Sequence, residues 1–237
     1  MQENQNIFLP GGAKQLRILK SKIELSGKRI LIIGAGCEKI AEKMIESDAL
    51  SVKMIVNDFD SLLNSRLNLS KESKVLIEMM EYDNTDFNAG DFDLVYAQGS
   101  ISTPNRRKII KEIKRILKPD GTLCVGELTI LVKDYPAFVK DIFESSDISP
   151  LPHDEIEKYY QERDFLVFHE QDLSSSLKNF YENAAAEMKT KIDNLNEQEK
   201  SYYKKLLNKI SHESNAYLKL GADRYIGFNM LILRKPA

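Results

Sequence analysis

The segment RILIIGAGCEKIAEKM, residues 29–44, decides the fold. Its first five residues form a largely apolar β-like run, the pattern of a strand buried on both faces of a parallel sheet. Gly34 and Gly36 follow at once, with Ala35 between them, and then Ile40, Ala41, Met44 and Ile45 share one helical face. Strand, glycine turn and helix in that order open many nucleotide-binding α/β domains. The third glycine that such loops often carry is absent, and Glu38 and Lys39 stand in its place.

The same alternation continues on both sides. Upstream, IFLPGGAKQLRILKSKI, from Ile7, sets Leu16, Ile18, Leu19 and Ile23 behind a Pro-Gly-Gly turn, which predicts a lead-in helix ended by Gly27. Downstream, strands are predicted at residues 52–56, ending in NDFD, at 74–79, ending in EYDN, and at 92–97 within DFDLVYAQGS. A helix is expected next, with Thr103 as N-cap, Pro104 in its first turn, and Ile109, Ile110, Ile113, Ile116 and Leu117 on one face. Lys118-Pro119-Asp120-Gly121 stops it before a fifth strand, TLCVGELTI. Helices at 135–143 and 154–161, a strand at 165–169, two helices parted near 194–198, and a closing strand in RYIGFNMLIL complete the order.

Right-handed crossovers turn this order into an α/β fold: a doubly wound, mainly parallel seven-stranded sheet with helices on both faces and a late helical insert. The expected organisation is a lead-in segment at 1–27, a Rossmann-like cofactor-binding core at 28–173, an insert at 174–221 and a closing core strand at 222–237. With 237 residues, the chain is long enough for one such domain. Lys+Arg 34 against Asp+Glu 36 gives a net charge of -2, which argues against a nucleic-acid partner. The two cysteines, Cys37 and Cys124, suggest neither a disulfide framework nor a structural metal site. No apolar run approaches the ~18 residues of a membrane span, and no leader is apparent, so no membrane association and a cytoplasmic location are expected.

In this architecture ligands bind outside the carboxyl ends of the strands. Gly34 and Gly36, after the first strand, let backbone approach a ligand closely. Asp58, after the second, has the acceptor capacity to take both ribose hydroxyls, although capping of the next helix by Asp58 or Asp60 is the competing role. Asp83, after the third and beside Asn84, could accept from an adenine amine or serve as an ordinary turn residue. Ala97, Gln98 and Gly99, after the fourth, would border the reacting end of a cofactor.

ILIIGAGCEKIA, IVNDFD, MEYDNTDF, DFDLVYAQGSI and RRKIIKEIKRILKPDGTL together resemble the consecutive motifs of class I S-adenosylmethionine-dependent methyltransferases. The resemblance covers residues 7–130, and LKPDGTL is its most specific piece; FLPGG resembles a segment preceding the first strand in some small-molecule members. It implies S-adenosylmethionine as cofactor. Gly34 and Gly36 would lie against its methionine part and ribose, Asp58 on the ribose hydroxyls, and Phe59 against the adenine face. Asp83 would take the adenine amine with the backbone near Asn84, and Gln98 and Gly99 would border the methyl group. Two positions depart from the family: Ile32 stands where an acid is common at the end of the first strand, and Glu38 where a third glycine is common. Glu38 is expected to narrow the methionine end or to face the cofactor's ammonium.

No metal ligand set and no catalytic dyad stands out among His153, His169 and His212. His169 reads as a structural residue and His212 as solvated. Cys37, at a helix start, reads as a packing residue with a lowered thiol pKa as the alternative. The insert reads as a substrate lid or as packing, through Phe180, Tyr181, Tyr202, Tyr203 and Tyr217 with Leu177, Met188, Ile192, Leu206, Leu207 and Ile210. Its lysines alternate with acids and form a solvated face. AQGS stands where nucleobase- or glutamine-methylating enzymes often have Asn-Pro-Pro-Tyr, which favours a small-molecule acceptor. A non-catalytic binder of S-adenosylmethionine or S-adenosylhomocysteine is the first alternative. A nicotinamide-dependent oxidoreductase is the second, and it would need glycine at Lys39.

Overall fold

The computed structural model describes residues 7, 9–193 and 197–237. Its first half alternates strands and helices: α1 Gly12–Lys22, β1 Arg29–Ile33, α2 Glu38–Ile45, β2 Ser51–Val56, α3 Phe59–Asn68, β3 Leu76–Met79, β4 Phe92–Gln98, α4 Arg106–Ile116 and β5 Leu117–Ile130. The second half holds α5 Ala137–Ser145, β6 Leu151–Pro152, α6 Ile156–Gln161, β7 Leu166–Asp172, α7 Ser175–Asp193, α8 Glu197–Lys219 and β8 Ile226–Arg234.

The strands form one sheet in the order β3-β2-β1-β4-β5-β8-β7, and β6 adds a two-residue pairing to β5. Strands β1 to β5 are parallel, whereas β8 runs antiparallel between β5 and β7. Both faces are covered, so β1 is apolar and buried from Ile30 to Ile33. Ile30 and Ile32 join the core beneath α1, α2, α3, α5, α7 and α8, and Leu31 and Ile33 join the core beneath α4 and α6. Ile32 therefore fills core volume at the position where the resembling family often has an acid.

Helix α4 begins at Arg106 rather than beside Thr103, with Asn105 as its N-cap. The Thr103 N–H is spent on the Ile101 carbonyl, and the Thr103 carbonyl accepts from Arg106, so residues 101–105 form turns ahead of the helix. Strand β5 begins at Leu117, which pairs with Phe92, so the Lys-Pro-Asp-Gly turn is an irregularity near the strand's start.

Helices α7 and α8 pack together, and α8 packs onto α5. Tyr181 and Tyr217 are buried with ring centroids 4.7 Å apart, and Phe180 meets Tyr181 edge-on at 4.9 Å. These aromatics hold the helix pair to the core. The side chains of Met188, Ile192, Tyr202, Tyr203 and Leu206, and part of the break expected near 194–198, lie outside the described residues. On the α5 side, Ser146 Oγ donates to Glu213 Oε1, and Lys209 Nζ donates to the Ser146 carbonyl at 3.2 Å.

Burial raises the Glu213 carboxyl above the ordinary glutamate range, against the opposing pull of the Ser146 hydrogen bond, Lys209 and His212. A group whose folded pKa is raised stabilises the fold while it holds its proton, and that contribution is lost as pH rises through the folded pKa. Denaturant titrations across the acid range should therefore show a loss of stability with rising pH just above the usual glutamate range. Glu213→Gln should remove that component. Identical pH profiles for the two proteins would contradict the assignment.

Candidate functional site

Strand order reverses between β1, which neighbours β2 on one side, and β4 on the other. A crevice opens at the carboxyl ends on either side of such a switch point. The turns of residues 34–37 and 99–100 form its two flanks. Gly34 has φ 115° and a Cβ there would come within 2.5 Å of Ser100 Cβ, so any larger residue closes the flanks on each other. Ser100 Oγ also donates to the Ile33 carbonyl at 2.5 Å, tying the turn after β4 to the end of β1. Gly36, at φ 84°, is exposed and lies against Leu9, whose Cδ2 is 3.1 Å from where a Cβ would stand.

Glu38 does not face an open pocket. It is 5% exposed; its Oε1 accepts from the Gly36 N–H at 3.1 Å and from Ser65 Oγ at 2.5 Å. The carboxylate thus braces the glycine turn against α3 in place of the missing glycine. Cys37 is fully buried, and burial, reinforced by Glu38 beside it, pushes its thiol pKa up, so it packs and is not an activated thiolate.

Asp58 is the N-cap of α3: Oδ1 accepts from the Ser61 N–H at 2.8 Å and Oδ2 from Ser61 Oγ at 2.6 Å. The capping role weighed against ribose binding is thus occupied, yet an ionised carboxylate retains further acceptor positions. Asp58 is exposed at the rim, and the ring of Phe59 beside it is 60% exposed. After β3, Asn84 N–H closes a turn onto the Glu81 carbonyl at 3.3 Å, which holds half-buried Asp83 between them. Tyr82 joins the second and third turns: its hydroxyl donates to Asn57 Oδ1 at 3.5 Å. Burial chiefly, with Cys37 and Asp58 nearby, pushes its phenol pKa up.

Gly34, Ala35, Gly36, Asp58, Phe59, Asp83, Asn84 and Gly99 accordingly stand on or beside turns at one rim of one sheet. Gln98 is buried, and its side-chain amide accepts from the Tyr96 hydroxyl and donates to the carbonyls of Pro10 and Gly12. Tyr82 and Ser65 carried no sequence signal beyond being ordinary loop or helix residues, whereas Leu9 and Pro10 lie in FLPGG and Ser100 in AQGS.

On the other face, just beyond the β4–β5 pairing, lies an ion pair absent from the sequence reading. Glu127 is fully buried and accepts from Arg106 Nε at 2.9 Å, Ser102 Oγ at 2.5 Å and the Tyr160 hydroxyl at 2.6 Å. Arg106 also donates to the Ser149 carbonyl. The cluster anchors residues 99–105, one wall of the crevice, to β5 and α6. Of the histidines, His153 Nδ1 lies 2.9 Å from Thr129 Oγ1, His169 pairs with Gln171 at 3.4 Å, and His212 is exposed. Among the described residues no group of three or more metal-ligating side chains converges, and no helix is long and apolar enough to cross a membrane.

Residues 31–125 match a family model described as a methyltransferase domain. Among solved structures, the chain is similar to phosphoethanolamine N-methyltransferase 2 of Haemonchus contortus in complex with S-adenosyl-L-methionine, at TM-score 0.75 and 18% identity over 98% of this chain and 55% of that one. It is similar to a putative sarcosine dimethylglycine methyltransferase of Galdieria sulphuraria, at TM-score 0.68 and 14% identity over 94% of this chain and 83% of that one. It is also similar to the [4+2]-cyclase SpnF, at TM-score 0.71 and 19% identity over 94% and 80%. No curated protein sequence matches the chain.

Proposed function

We propose that this chain, whose residues 31–125 match a family model described as a methyltransferase domain and whose fold is shared with solved methyltransferases, binds S-adenosylmethionine and transfers its methyl group to a small-molecule acceptor. The observation that carries the reading is the convergence of the turns after β1, β2, β3 and β4 at one rim, beside the switch point. The residues present fit an adenosyl group. Gly36 is exposed at the turn, Asp58 has acceptor capacity left for ribose hydroxyls, Phe59 offers an uncovered ring to a base, and half-buried Asp83 on the neighbouring turn would take the adenine amine.

When bound, S-adenosylmethionine supplies a methyl group on a sulfonium, open to in-line displacement. The protein's share is position and exclusion of water, and orientation of two reactants is worth roughly 7–11 kcal/mol. A general base is needed only where the acceptor arrives protonated, which fits a rim without a catalytic dyad. The balanced charge and the interspersed lysines and acids of the insert support a small acceptor over a polyanion.

Glu38 counts against the nicotinamide reading. Dinucleotide folds present free N–H groups to a pyrophosphate at this turn, whereas here a carboxylate takes the Gly36 N–H. Because the same fold is found in a [4+2]-cyclase, binding and transfer need separate tests. Incubation with methyl-labelled S-adenosylmethionine and a metabolite extract should label a small molecule. Cofactor binding with no labelled product across extracts would favour the non-catalytic binder.

A further inference from the structure

We propose that Gln98 is a positioning residue that latches residues 9–12 as a strap across the ligand crevice, so that ligand enters and leaves only when the strap lifts. The inference rests on the cofactor reading above. Gln98 Nε2 has two hydrogens, and both go to the strap: one to the Pro10 carbonyl at 2.7 Å, the other to the Gly12 carbonyl at 3.0 Å. The amide cannot turn over without loss, because the buried Tyr96 hydroxyl donates to Oε1 at 2.5 Å and fixes which end faces the strap. The latch is therefore set from the sheet floor.

Above it, the strap spans both flanks of the crevice. Leu9 covers Gly36, as described, and Pro10 Cγ lies 3.7 Å from where a Cβ of Gly99 would stand. Gly11 follows at φ 85°, directly over the Phe228 ring, where a Cβ would come within 2.7 Å of the ring edge. Only a glycine lets the chain turn there while lying flat on that ring. The Gly12 N–H returns to the Leu9 carbonyl at 2.8 Å, so the strap is a closed turn that moves as one piece. Gln98 fastens this piece to β4 by side-chain hydrogen bonds, and Gln15 Nε2, in the first turn of α1, holds the following helix to the Ala97 carbonyl of β4 at 3.0 Å. A ligand between Gly36 and Gly99 would be roofed by Leu9 and Pro10 and shielded from water, a condition that strengthens electrostatic contacts within the site.

The test is the kinetics of S-adenosylhomocysteine binding to the unmodified protein and to Gln98→Leu. A gate that is unlatched passes ligand faster in both directions. Association and dissociation rates should both rise roughly tenfold, the size expected from two lost neutral hydrogen bonds. A rise in dissociation alone marks an ordinary contact residue, and that pattern or unchanged rates would overturn the proposal. Should Gln98→Leu fail to fold, amide exchange in the unmodified protein decides: saturating S-adenosylhomocysteine should slow exchange at Gly12 and Lys14, and equal exchange with and without it overturns the strap. Failure of the unmodified protein to bind S-adenosylhomocysteine would instead remove the cofactor reading, and it is seen before any variant is made.

Discussion

Replacing Arg106 with methionine should cost the fold about 3–5 kcal/mol, the usual consequence of stranding a buried charge. Arg106 Nε reaches both oxygens of Glu127, at 2.9 and 3.2 Å, inside a site where Glu127 has no exposure. Without the guanidinium, the carboxylate keeps only the Ser102 and Tyr160 hydroxyls, which cannot balance its charge. For a domain of this size the melting temperature should drop by roughly 6–20 °C. Adding Glu127→Leu to Arg106→Met should recover much of the loss, because removing both partners of a buried pair is often near neutral. A single variant within about 1 kcal/mol of the unmodified protein would show that the pair does not hold the 99–105 wall to β5.

Asp58→Ala should weaken S-adenosylhomocysteine binding by about 1.5–3 kcal/mol, the range for hydrogen bonds to a charged group, and should also cost about 0.5–2 kcal/mol of stability through the lost cap. Both losses come from one carboxylate, so alanine alone cannot say which matters to the ligand. Asparagine separates them. It accepts from the Ser61 N–H nearly as well as aspartate does, so Asp58→Asn should stay within a few tenths of a kcal/mol in stability. It lacks the charge, so the affinity loss should persist. Calorimetry on both variants, with denaturant melts alongside, reads the two effects independently. Unimpaired affinity in a folded Asp58→Asn protein would reduce Asp58 to a helix cap.

The sheet was legible because its pattern is redundant. Each of β1, β2 and β4 is apolar on both faces, and each ends in residues that cannot continue a strand, such as Gly34 or the Asn57-Asp58 pair. Helix starts were less so. Thr103 and Pro104 carry the local signals of a helix N-terminus, but Arg106 is drawn to Glu127, 21 residues away, and the intervening chain turns to allow it. At the rim, Gly34, Asp58 and Asp83 follow from strand ends alone. What local reasoning missed were side chains whose partners are distant in sequence: Glu38 with Ser65, Gln98 with Pro10 and Gly12, and Tyr82 with Asn57. Glu38 illustrates the limit best. Read by position it faces a ligand, and only the placement of α3 turns it inward onto the glycine turn.

Whether the four turns at the rim clasp an adenosyl sulfur compound is tested most directly by calorimetric titration of the full chain with S-adenosylhomocysteine, with NAD in a parallel cell. A saturable one-site heat with S-adenosylhomocysteine and none with NAD is the predicted result. No heat with the sulfur compound, or saturation by NAD in its place, would contradict the account at its root.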